Sequence, residues 1–258
     1  MTIELSLIDK YFYHNCLSVI TTIITICIGF YGIKLRNIKK IRYFSFCLIG
    51  FCLIQEIFDY VNRIFLDKSY IFSIQQDLPF LQFCQISFYF SLLCIYFSIK
   101  KISIYKNYNL NQFFFDVSFL LGFSGAFQGI ITPDFTSINN LLGVFCIQMQ
   151  HSLIIINIIW LMTAFKYRLR FKGLLFTYLL INYIAPLALF LNKIIGVSIN
   201  GDAANYFYVN KLPEVDNFFL NLVSDYPSPD YILFIQPVFI CYFIVLYIPF
   251  FIYDKFKK

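Results

Sequence analysis

The feature that most limits the fold of this chain is a series of seven apolar windows, each about as long as a membrane is thick. A helix needs about 20 mostly apolar residues to cross a hydrocarbon layer of about 30 Å, because each residue rises about 1.5 Å. The windows are continuous rather than alternating, which favours helices over barrel strands. They cover residues 16–33, 43–64, 78–99, 112–132, 141–165, 173–195 and 231–253.

Composition supports the same conclusion. Of the 258 residues, 60% are hydrophobic and 13% are charged, whereas a soluble domain has about 25% charged residues. Such a chain cannot cover its surface with polar groups in water. We therefore predict an all-α, polytopic membrane protein, a seven-transmembrane-helix bundle that forms one transmembrane domain over residues 1–258. The first fifteen residues predict only a short interfacial helix or loop.

The distribution of lysine and arginine predicts the orientation. Of the 20 such residues, 15 fall after the first, third and fifth windows and in the C-terminal tail. Cytoplasmic connections are the ones rich in these residues, so we expect the N-terminus outside, the C-terminus in the cytoplasm, and a multi-pass location in the plasma (cytoplasmic) membrane. The net charge of +6 thus reflects topology. Membrane lipids are the expected partners, and nucleic acid is not.

Polar side chains within the windows are the candidates for a functional site, because each costs several kcal/mol in hydrocarbon unless it faces protein or water. Taking about 1.5 Å per residue, Cys84 lies about 9 Å below the start of the third helix, Glu56 about 12 Å and His151 about 15 Å from their outer helix ends. The inner halves read as plain Phe, Leu and Ile. This asymmetry predicts one polar cavity that opens toward the outer leaflet. The candidate binding residues are Glu56, Asp59, Arg63, Gln82, Gln85, Gln128, Gln148, Asn192 and Gln236.

Each candidate also has a purely structural interpretation. Asp59 and Arg63 are spaced i, i+4 and can form an internal ion pair. The glycine face of the fourth helix is typical of close helix packing. His151 is the only histidine inside the predicted windows, and a lone histidine is often a hydrogen-bonded core residue. Cys84 is one of eight cysteines, and without a CxxC pair these favour neither a disulfide framework nor a metal site. No metal and no cofactor is predicted.

Several motifs, in order, resemble those of the YwaF-like bacterial integral membrane proteins. The resemblance covers about residues 78–250 and, weakly, Glu56. Its most specific parts are the glycine-rich fourth helix and the Asn-Tyr-x-Tyr element. The motifs are Leu78-Pro79, Cys84-Gln85-Ile86-Ser87, the stretch 122–134, Gln150-His151, Asn192, Asn205-Tyr206-Phe207-Tyr208, Tyr226-Pro227 with Tyr231, and Leu246-Tyr247-Ile248-Pro249-Phe250.

That family is similar to a eukaryotic transmembrane protein that transfers acyl chains between phospholipids with a cysteine in helix three and a histidine in helix five. The resemblance implies Cys84 as the nucleophile and His151 as its base. One departure is Gln82, where the family usually has a histidine before the cysteine. A buried thiol needs such a base within hydrogen-bond reach, and Gln128 or Gln148 could donate a hydrogen bond to an oxyanion.

Three functional classes stay open at this point. The first is a lipid acyltransferase that uses Cys84 and His151. The second is a transporter or receptor that binds a small polar solute or lipid headgroup at Glu56, Asp59, Arg63 and His151, although no inverted repeat is visible. The third is a non-catalytic membrane assembly partner. Sequence alone does not decide whether the chain is an enzyme.

Overall fold

The computed structural model describes residues 5–100, 110–198, 201–213 and 215–256. Within these ranges, seven helices are long and apolar enough to cross a membrane, which confirms the predicted number. Which end of the bundle faces which side of the membrane stays a prediction. The helices are α1 (Leu7–Lys34), α2 (Ile38–Leu66), α3 (Phe83–Lys100), α4 (Leu110–Ile131), α5 (Leu141–Ala164), α6 (Phe171–Ile195) and α7 (Tyr231–Phe256).

Side-chain caps fix where several helices begin. The Asn37 side chain accepts hydrogen bonds from the backbone N–H groups of Lys39 and Lys40 at the start of α2. Asn140 does the same for Gly143 in α5, at 2.6 Å. Such caps satisfy N–H groups that have no partner within the helix. The helices therefore begin at polar caps rather than where hydropathy first rises.

Two predicted helix starts were wrong. Helix α1 begins at Leu7 rather than at residue 16, because the Ser6 side chain caps it by accepting from Asp9 N–H. The first fifteen residues therefore belong largely to a spanning helix. Helix α3 begins at Phe83 rather than at residue 78. Phe80 has a φ of 68°, a left-handed conformation that no α-helix can contain, so the segment before Phe83 is a loop.

Helix α5 lies at the centre of the bundle. It packs against α1, α2, α3 and α4, and α6 packs against α4 and α7. Within the most apolar stretch of α5, 61% of the residues are buried inside the protein, against 11% for α1 and for α7. Side chains that project from α5 toward α4 or α2 are consequently held on several sides.

Two of the helices contain a π-helical turn. In α2 it covers Asn62–Leu66, and in α4 it covers Gly122–Ala126. A π-turn adds one residue to the helical repeat and re-aims the side chains that follow it, and such turns are frequent at functional sites. The turn in α4 contains Gly125 and ends three residues before Gly129, and both glycines contact the candidate site.

We call the end of the bundle that holds the connections 67–82, 132–140 and 196–230 the site end. These connections contact one another and the N-terminal segment. Leu5 N–H donates to Asn139 O at 3.2 Å, and Asn140 donates to Asn62 at 3.2 Å. The site end is thus a folded layer rather than a set of separate loops.

The opposite half of the bundle carries more polar contacts than the sequence analysis expected. Asp116, 1% exposed, accepts from Arg170 at 2.9 Å and from Gln112 at 2.8 Å. Asn157, fully buried in α5, donates to Ser91 in α3 at 3.0 Å. The expectation that this half is plain Phe, Leu and Ile was therefore wrong. These groups are paired with one another and tie helices together.

Candidate functional site

Cys84 and His151 contact the same face of α4, one helical turn apart. A Cβ atom placed on Gly125 would lie 2.9 Å from Cys84 Sγ, and one placed on Gly129 would lie 2.6–3.0 Å from three atoms of the His151 ring. The two glycines are four residues apart, which is about 6 Å along a helix. Only glycine allows both side chains to approach α4 this closely. We call Cys84, His151, Gly125 and Gly129 the thiol site.

Cys84 lies in the first turn of α3, because that helix begins at Phe83. Its predicted depth of about 9 Å below the helix start was wrong for the same reason. The first N–H to pair within the helix is that of Ile86, which donates to Gln82 O at 3.0 Å. The N–H groups of residues 83–85 have no backbone partner among the described residues, so they are potential donors in the same helical turn as Cys84.

The His151 ring has no hydrogen-bond partner among the described residues. Its Nδ1 atom is buried and unsatisfied. The side-chain oxygens of Gln82 and Gln85, which flank Cys84 in the sequence, are also buried without a partner within the part of the chain that is described. Buried polar atoms in folded proteins are nearly always paired. The unpaired atoms of His151, Gln82 and Gln85 therefore indicate a place where a ligand or water would supply the missing hydrogen bonds.

A second histidine lies inside the bundle, which corrects the expectation that His151 is alone there. His14 is fully buried in α1, and its Nε2 atom lies 2.9 Å from Ile130 O in α4. Its ring also packs edge-on against Phe135 at 5.5 Å. Sequence analysis missed His14 because it placed the start of α1 nine residues too late.

The Asn-Tyr-x-Tyr element folds over the approach to α3. The Tyr206 hydroxyl donates to Ile74 O at 2.5 Å and accepts from Leu78 N–H at 3.0 Å. Phe207 N–H donates to Leu81 O at 3.2 Å, and its ring packs on Phe83 at 4.9 Å. We call residues 205–209 the strap. It holds in place the loop that ends at Cys84.

The strap is held in an unusual backbone conformation. Phe207 and Tyr208 have φ values of 57° and 52°, in a region that costs a non-glycine residue of order 1–3 kcal/mol and persists only where the surroundings impose it. Asn192 supplies part of that constraint by donating to Tyr206 O at 3.2 Å and accepting from Tyr206 N–H at 3.0 Å. Asn192, a predicted binding residue, is therefore engaged in holding the strap.

Two tyrosines of the strap have raised pKa values. Burial raises the pKa of Tyr206, so its hydroxyl stays protonated and can donate to Ile74 O. Burial of the Tyr208 hydroxyl raises its pKa, although 39% of the residue's surface is exposed, and the charge of Asp134 raises it further. No sequence signal other than the family motif pointed to Tyr208.

Gln128 lies beside the thiol site but its amide is occupied. Its Oε1 accepts from Asn217 at 3.2 Å, and its Nε2 donates to the Tyr242 hydroxyl at 3.4 Å. Asn217 also donates to Thr132 at 3.1 Å. Gln128 therefore fastens the connection 196–230 to α4, with its oxygen and one of its two N–H donors engaged in holding protein groups.

Glu56, Asp59 and Arg63 form a second polar group, between α2, α3 and the connection 67–82. Arg63 lies 2.7 Å from Asp59 and 3.2 Å from Asp77. Glu56 accepts from the Tyr89 hydroxyl at 2.8 Å and from Gln150 at 2.9 Å. We call Glu56, Asp59, Arg63 and Asp77 the carboxylate cluster.

Asp77 links the carboxylate cluster to the loop that precedes Cys84. Besides Arg63, it accepts from the Tyr70 hydroxyl and from Ser73 N–H. Burial raises the pKa of Tyr70, and the hydrogen bond to Asp77 raises it further. The cluster therefore fixes the fold of the connection 67–82. Arg63 is paired with Asp59 and Asp77, and Glu56 is hydrogen-bonded to Tyr89 and Gln150.

The remaining predicted site residues make helix–helix hydrogen bonds. Gln148 donates to Thr21 at 3.3 Å and to Ser152 at 3.1 Å, so it faces α1 rather than Cys84. Gln236 accepts from Asn182 at 3.1 Å and joins α7 to α6. The structure thus brings Cys84 and His151 onto one helix face and distributes the other candidates among separate contacts. The described residues contain no group of three or more His, Cys, Asp or Glu side chains placed to hold a metal ion.

Comparison with known protein families shows where this chain belongs. A model of the TMEM164 family matches residues 11–247, which include α2 to α6, most of α1 and α7, and every residue of the thiol site. No curated protein and no solved structure matches the chain. The similarity to YwaF-like proteins and to a phospholipid acyltransferase stays a prediction. This multi-pass membrane protein belongs to the TMEM164 family.

Proposed function

We propose that this protein transfers acyl chains between phospholipids, with Cys84 as the nucleophile and His151 as the general base. The observation that carries the proposal is the arrangement of the thiol and the imidazole on consecutive turns of α4, against Gly125 and Gly129. Such chemistry needs the nucleophile and its base on one small surface, and here they come from two helices, α3 and α5. The resemblance to an acyl-transferring family supplies the reaction class.

The first half-reaction loads the cysteine. His151 takes the proton from Cys84 Sγ, and the sulfur attacks the carbonyl carbon of a phospholipid ester. The tetrahedral intermediate collapses by breaking the bond to the glycerol oxygen, which leaves with the proton from His151. The products are a thioester on Cys84 and a lysophospholipid, so atoms and charge balance.

The second half-reaction transfers the acyl chain from Cys84 to an acceptor. The hydroxyl group of an acceptor lysophospholipid gives its proton to His151 and attacks the thioester carbonyl. Collapse of this intermediate breaks the carbon–sulfur bond, and His151 returns the proton to Cys84. A transferase rather than a hydrolase requires that water reach the thioester less readily than the acceptor does, and the strap over the loop that ends at Cys84 supports such shielding.

The first turn of α3 is suited to stabilise the oxyanion. Its unpaired N–H groups belong to the same helical turn as Cys84. The positive end of a helix dipole favours negative charge on a thiolate and on an oxyanion. Gln128 and Gln148, the donors expected from the sequence, are committed to Tyr242 and to Thr21 with Ser152. We therefore assign the oxyanion role to the backbone of residues 83–85.

We further propose that the site end faces the outside of the plasma membrane, because 15 of the 20 lysines and arginines belong to the other end or its tail. In that orientation the thiol site lies in the half of the bundle next to the outer leaflet, which would bring it to the depth of phospholipid ester groups. Glu56, Asp59 and Arg63 then act as structural support for the loop before Cys84 rather than as ligands for a lipid headgroup.

A carrier or receptor for a small polar solute is the second candidate. It is favoured by Glu56, a carboxyl that is 7% exposed at membrane depth and hydrogen-bonded to the neutral side chains of Tyr89 and Gln150. Solute uptake into proteoliposomes that is lost in Glu56→Gln and kept in Cys84→Ala would favour the carrier over the transferase.

Acyl transfer in nanodiscs tests the proposal. The purified protein is mixed with a phospholipid that carries a labelled acyl chain and with an unlabelled lysophospholipid, and the labelled product is measured over time. We expect Cys84→Ala to reduce transfer to background, and His151→Gln to reduce it by about 10²–10⁴-fold.

Cys94→Ala is the matched control, because Cys94 is fully buried in the same helix and pairs with Asn111 O. We expect it to retain transfer, with thermal unfolding of all three variants compared with that of the wild type. Transfer by Cys84→Ala at the wild-type rate would overturn the proposal.

A further inference from the structure

His14 and His151 contact consecutive residues of α4. The His151 ring lies against Gly129, and His14 Nε2 lies 2.9 Å from the carbonyl oxygen of Ile130. The two imidazoles therefore approach the same turn of α4, one from α5 and the other from α1.

The contact with Ile130 determines the tautomer of His14. A backbone carbonyl can only accept a hydrogen bond, so Nε2 of His14 must carry the proton. In a neutral ring, Nδ1 then has a free lone pair and can only accept. His14 Nδ1 is buried and has no partner among the described residues.

His151 also has an unsatisfied ring nitrogen. Its Nδ1 is buried without a partner in the described part of the chain. An unsatisfied buried polar atom costs about 1–3 kcal/mol, and two of them lie beside one turn of α4. An acceptor on His14 and a donor on His151 would satisfy both nitrogens, and one ordered water can join polar groups that are too far apart for a direct hydrogen bond.

We propose that His14 is a positioning residue for His151: Nδ1–H of His151 donates through one buried water to Nδ1 of His14. This fixes His151 in the tautomer whose Nε2 lone pair is free. A general base is commonly oriented by a third group in this way, and the tautomer is set by the hydrogen bond at the other ring nitrogen. The inference rests on the proposed function only in naming that Nε2 as the base for Cys84.

Nitrogen spectroscopy tests the inference directly, because the chain contains only two histidines. The protein is labelled with nitrogen-15 histidine and studied in lipid bilayers by solid-state magnetic resonance, and the His14 signals are identified by their loss in His14→Leu. We expect His14 to carry its proton on Nε2 and His151 to carry its proton on Nδ1, the form that free imidazole side chains populate less. A purely packing role for His14 would not set the tautomer of His151.

Two variants separate positioning from packing. His14→Leu removes the acceptor, and His14→Asn retains a side-chain oxygen near the position of Nδ1. We expect the Nδ1–H form of His151 to be lost in His14→Leu and largely restored in His14→Asn. Transfer should fall by about 10–100-fold in His14→Leu, as for the partners that orient other functional histidines, and should recover in part in His14→Asn.

Either of two results would overturn the inference: a wild-type His151 that carries its proton on Nε2, or an Nδ1–H form that survives in His14→Leu. A wild-type spectrum in which both histidines carry the proton on Nε2 overturns the inference even if both variants fail to fold, because it needs no assignment of the two signals. Failure of the proposed function looks different, since it would appear as undiminished acyl transfer by Cys84→Ala while the tautomer of His151 remains as expected.

Discussion

The thiol site and the carboxylate cluster both place polar side chains at membrane depth, yet they differ in how those side chains are satisfied. In the carboxylate cluster, Arg63 pairs with Asp59 and Asp77, and Glu56 accepts two hydrogen bonds. In the thiol site, the His151 ring has no hydrogen bond among the described residues. The polar groups of the carboxylate cluster are paired with other protein groups, whereas the His151 ring of the thiol site has no such partner in the described part of the chain.

This difference separates two uses of polarity inside a membrane protein. A polar group in hydrocarbon needs a partner. When the protein supplies the partner, the group stabilises the fold, as Arg63 does for the connection 67–82. When the protein supplies no partner for a polar group, a substrate or a water molecule must be that partner. Both regions hold ionisable side chains near the site end of the bundle, and they differ in whether the protein supplies partners for those side chains.

The largest expected effect on stability is in the carboxylate cluster. Arg63→Met leaves Asp59 and Asp77 buried without their cation, and breaking a buried pair in this way costs about 3–5 kcal/mol. We expect the lower end, because 30% of the Arg63 side chain is exposed. Arg36→Met, at an exposed arginine, is the control for loss of charge. Denaturant unfolding in mixed micelles measures both, and a loss below about 1 kcal/mol in Arg63→Met would contradict the structural role.

The next effect concerns the fit of His151 against α4. In Gly129→Ala the new Cβ would lie 2.6 Å from the ring, so the ring must shift, at a cost of about 1–3 kcal/mol for overpacking and with loss of most acyl transfer. Gly50→Ala is the matched control, since no atom lies within 4 Å of its Cβ. It should stabilise α2 by about 0.5–1 kcal/mol. Equal activity of the two variants would contradict the close approach.

A smaller effect is expected where the strap is anchored. Asn192→Ala removes both hydrogen bonds to the Tyr206 backbone and should cost about 1 kcal/mol. The strap would loosen, so cleavage by added protease within residues 205–209 should become faster than in the wild type. Asn182→Ala, which removes a contact between α6 and α7, should leave that cleavage rate unchanged. Equal protection of the strap in Asn192→Ala and the wild type would show that Asn192 does not anchor it.

The smallest expected effect on stability tests most closely whether the thiol site and the carboxylate cluster differ in pairing. The Gln85 oxygen has no partner within the described part of the chain, so Gln85→Leu should change the free energy of unfolding by less than about 0.5 kcal/mol or raise it slightly. Gln150→Leu removes a hydrogen bond to Glu56 and should cost about 1–2 kcal/mol. If Gln85→Leu destabilises the protein as much as Gln150→Leu, the two regions do not differ as we describe.

Much of the fold follows from the sequence because the bilayer restricts it so strongly. Runs of about 20 apolar residues can satisfy their backbone groups only as helices, and all seven windows became spanning helices. The starts of α1 and α3 were wrong because they depend on the Ser6 cap and on the left-handed Phe80. Hydropathy reports neither of these features.

The candidate site was less accessible from the sequence. Nothing in the spacing of Cys84 and His151 shows that they share a surface, since that follows from the two glycines of α4 that let them approach. The list of polar residues mixed paired and unpaired groups, because pairing is a property of three-dimensional packing. His14 had a detectable signal, a polar residue close to the first apolar window, and was missed only through the position assigned to the helix start.

The central claim is that Cys84 carries the acyl chain, and mass spectrometry of the Cys84 peptide tests it most directly. The protein is incubated with a phospholipid donor without acceptor, digested, and compared with and without hydroxylamine, which cleaves thioesters. The account predicts a Cys84 peptide heavier by one acyl chain, sensitive to hydroxylamine and absent in His151→Gln over the same time. An acyl chain on a different cysteine, or transfer that proceeds with Cys84 never modified, would contradict it.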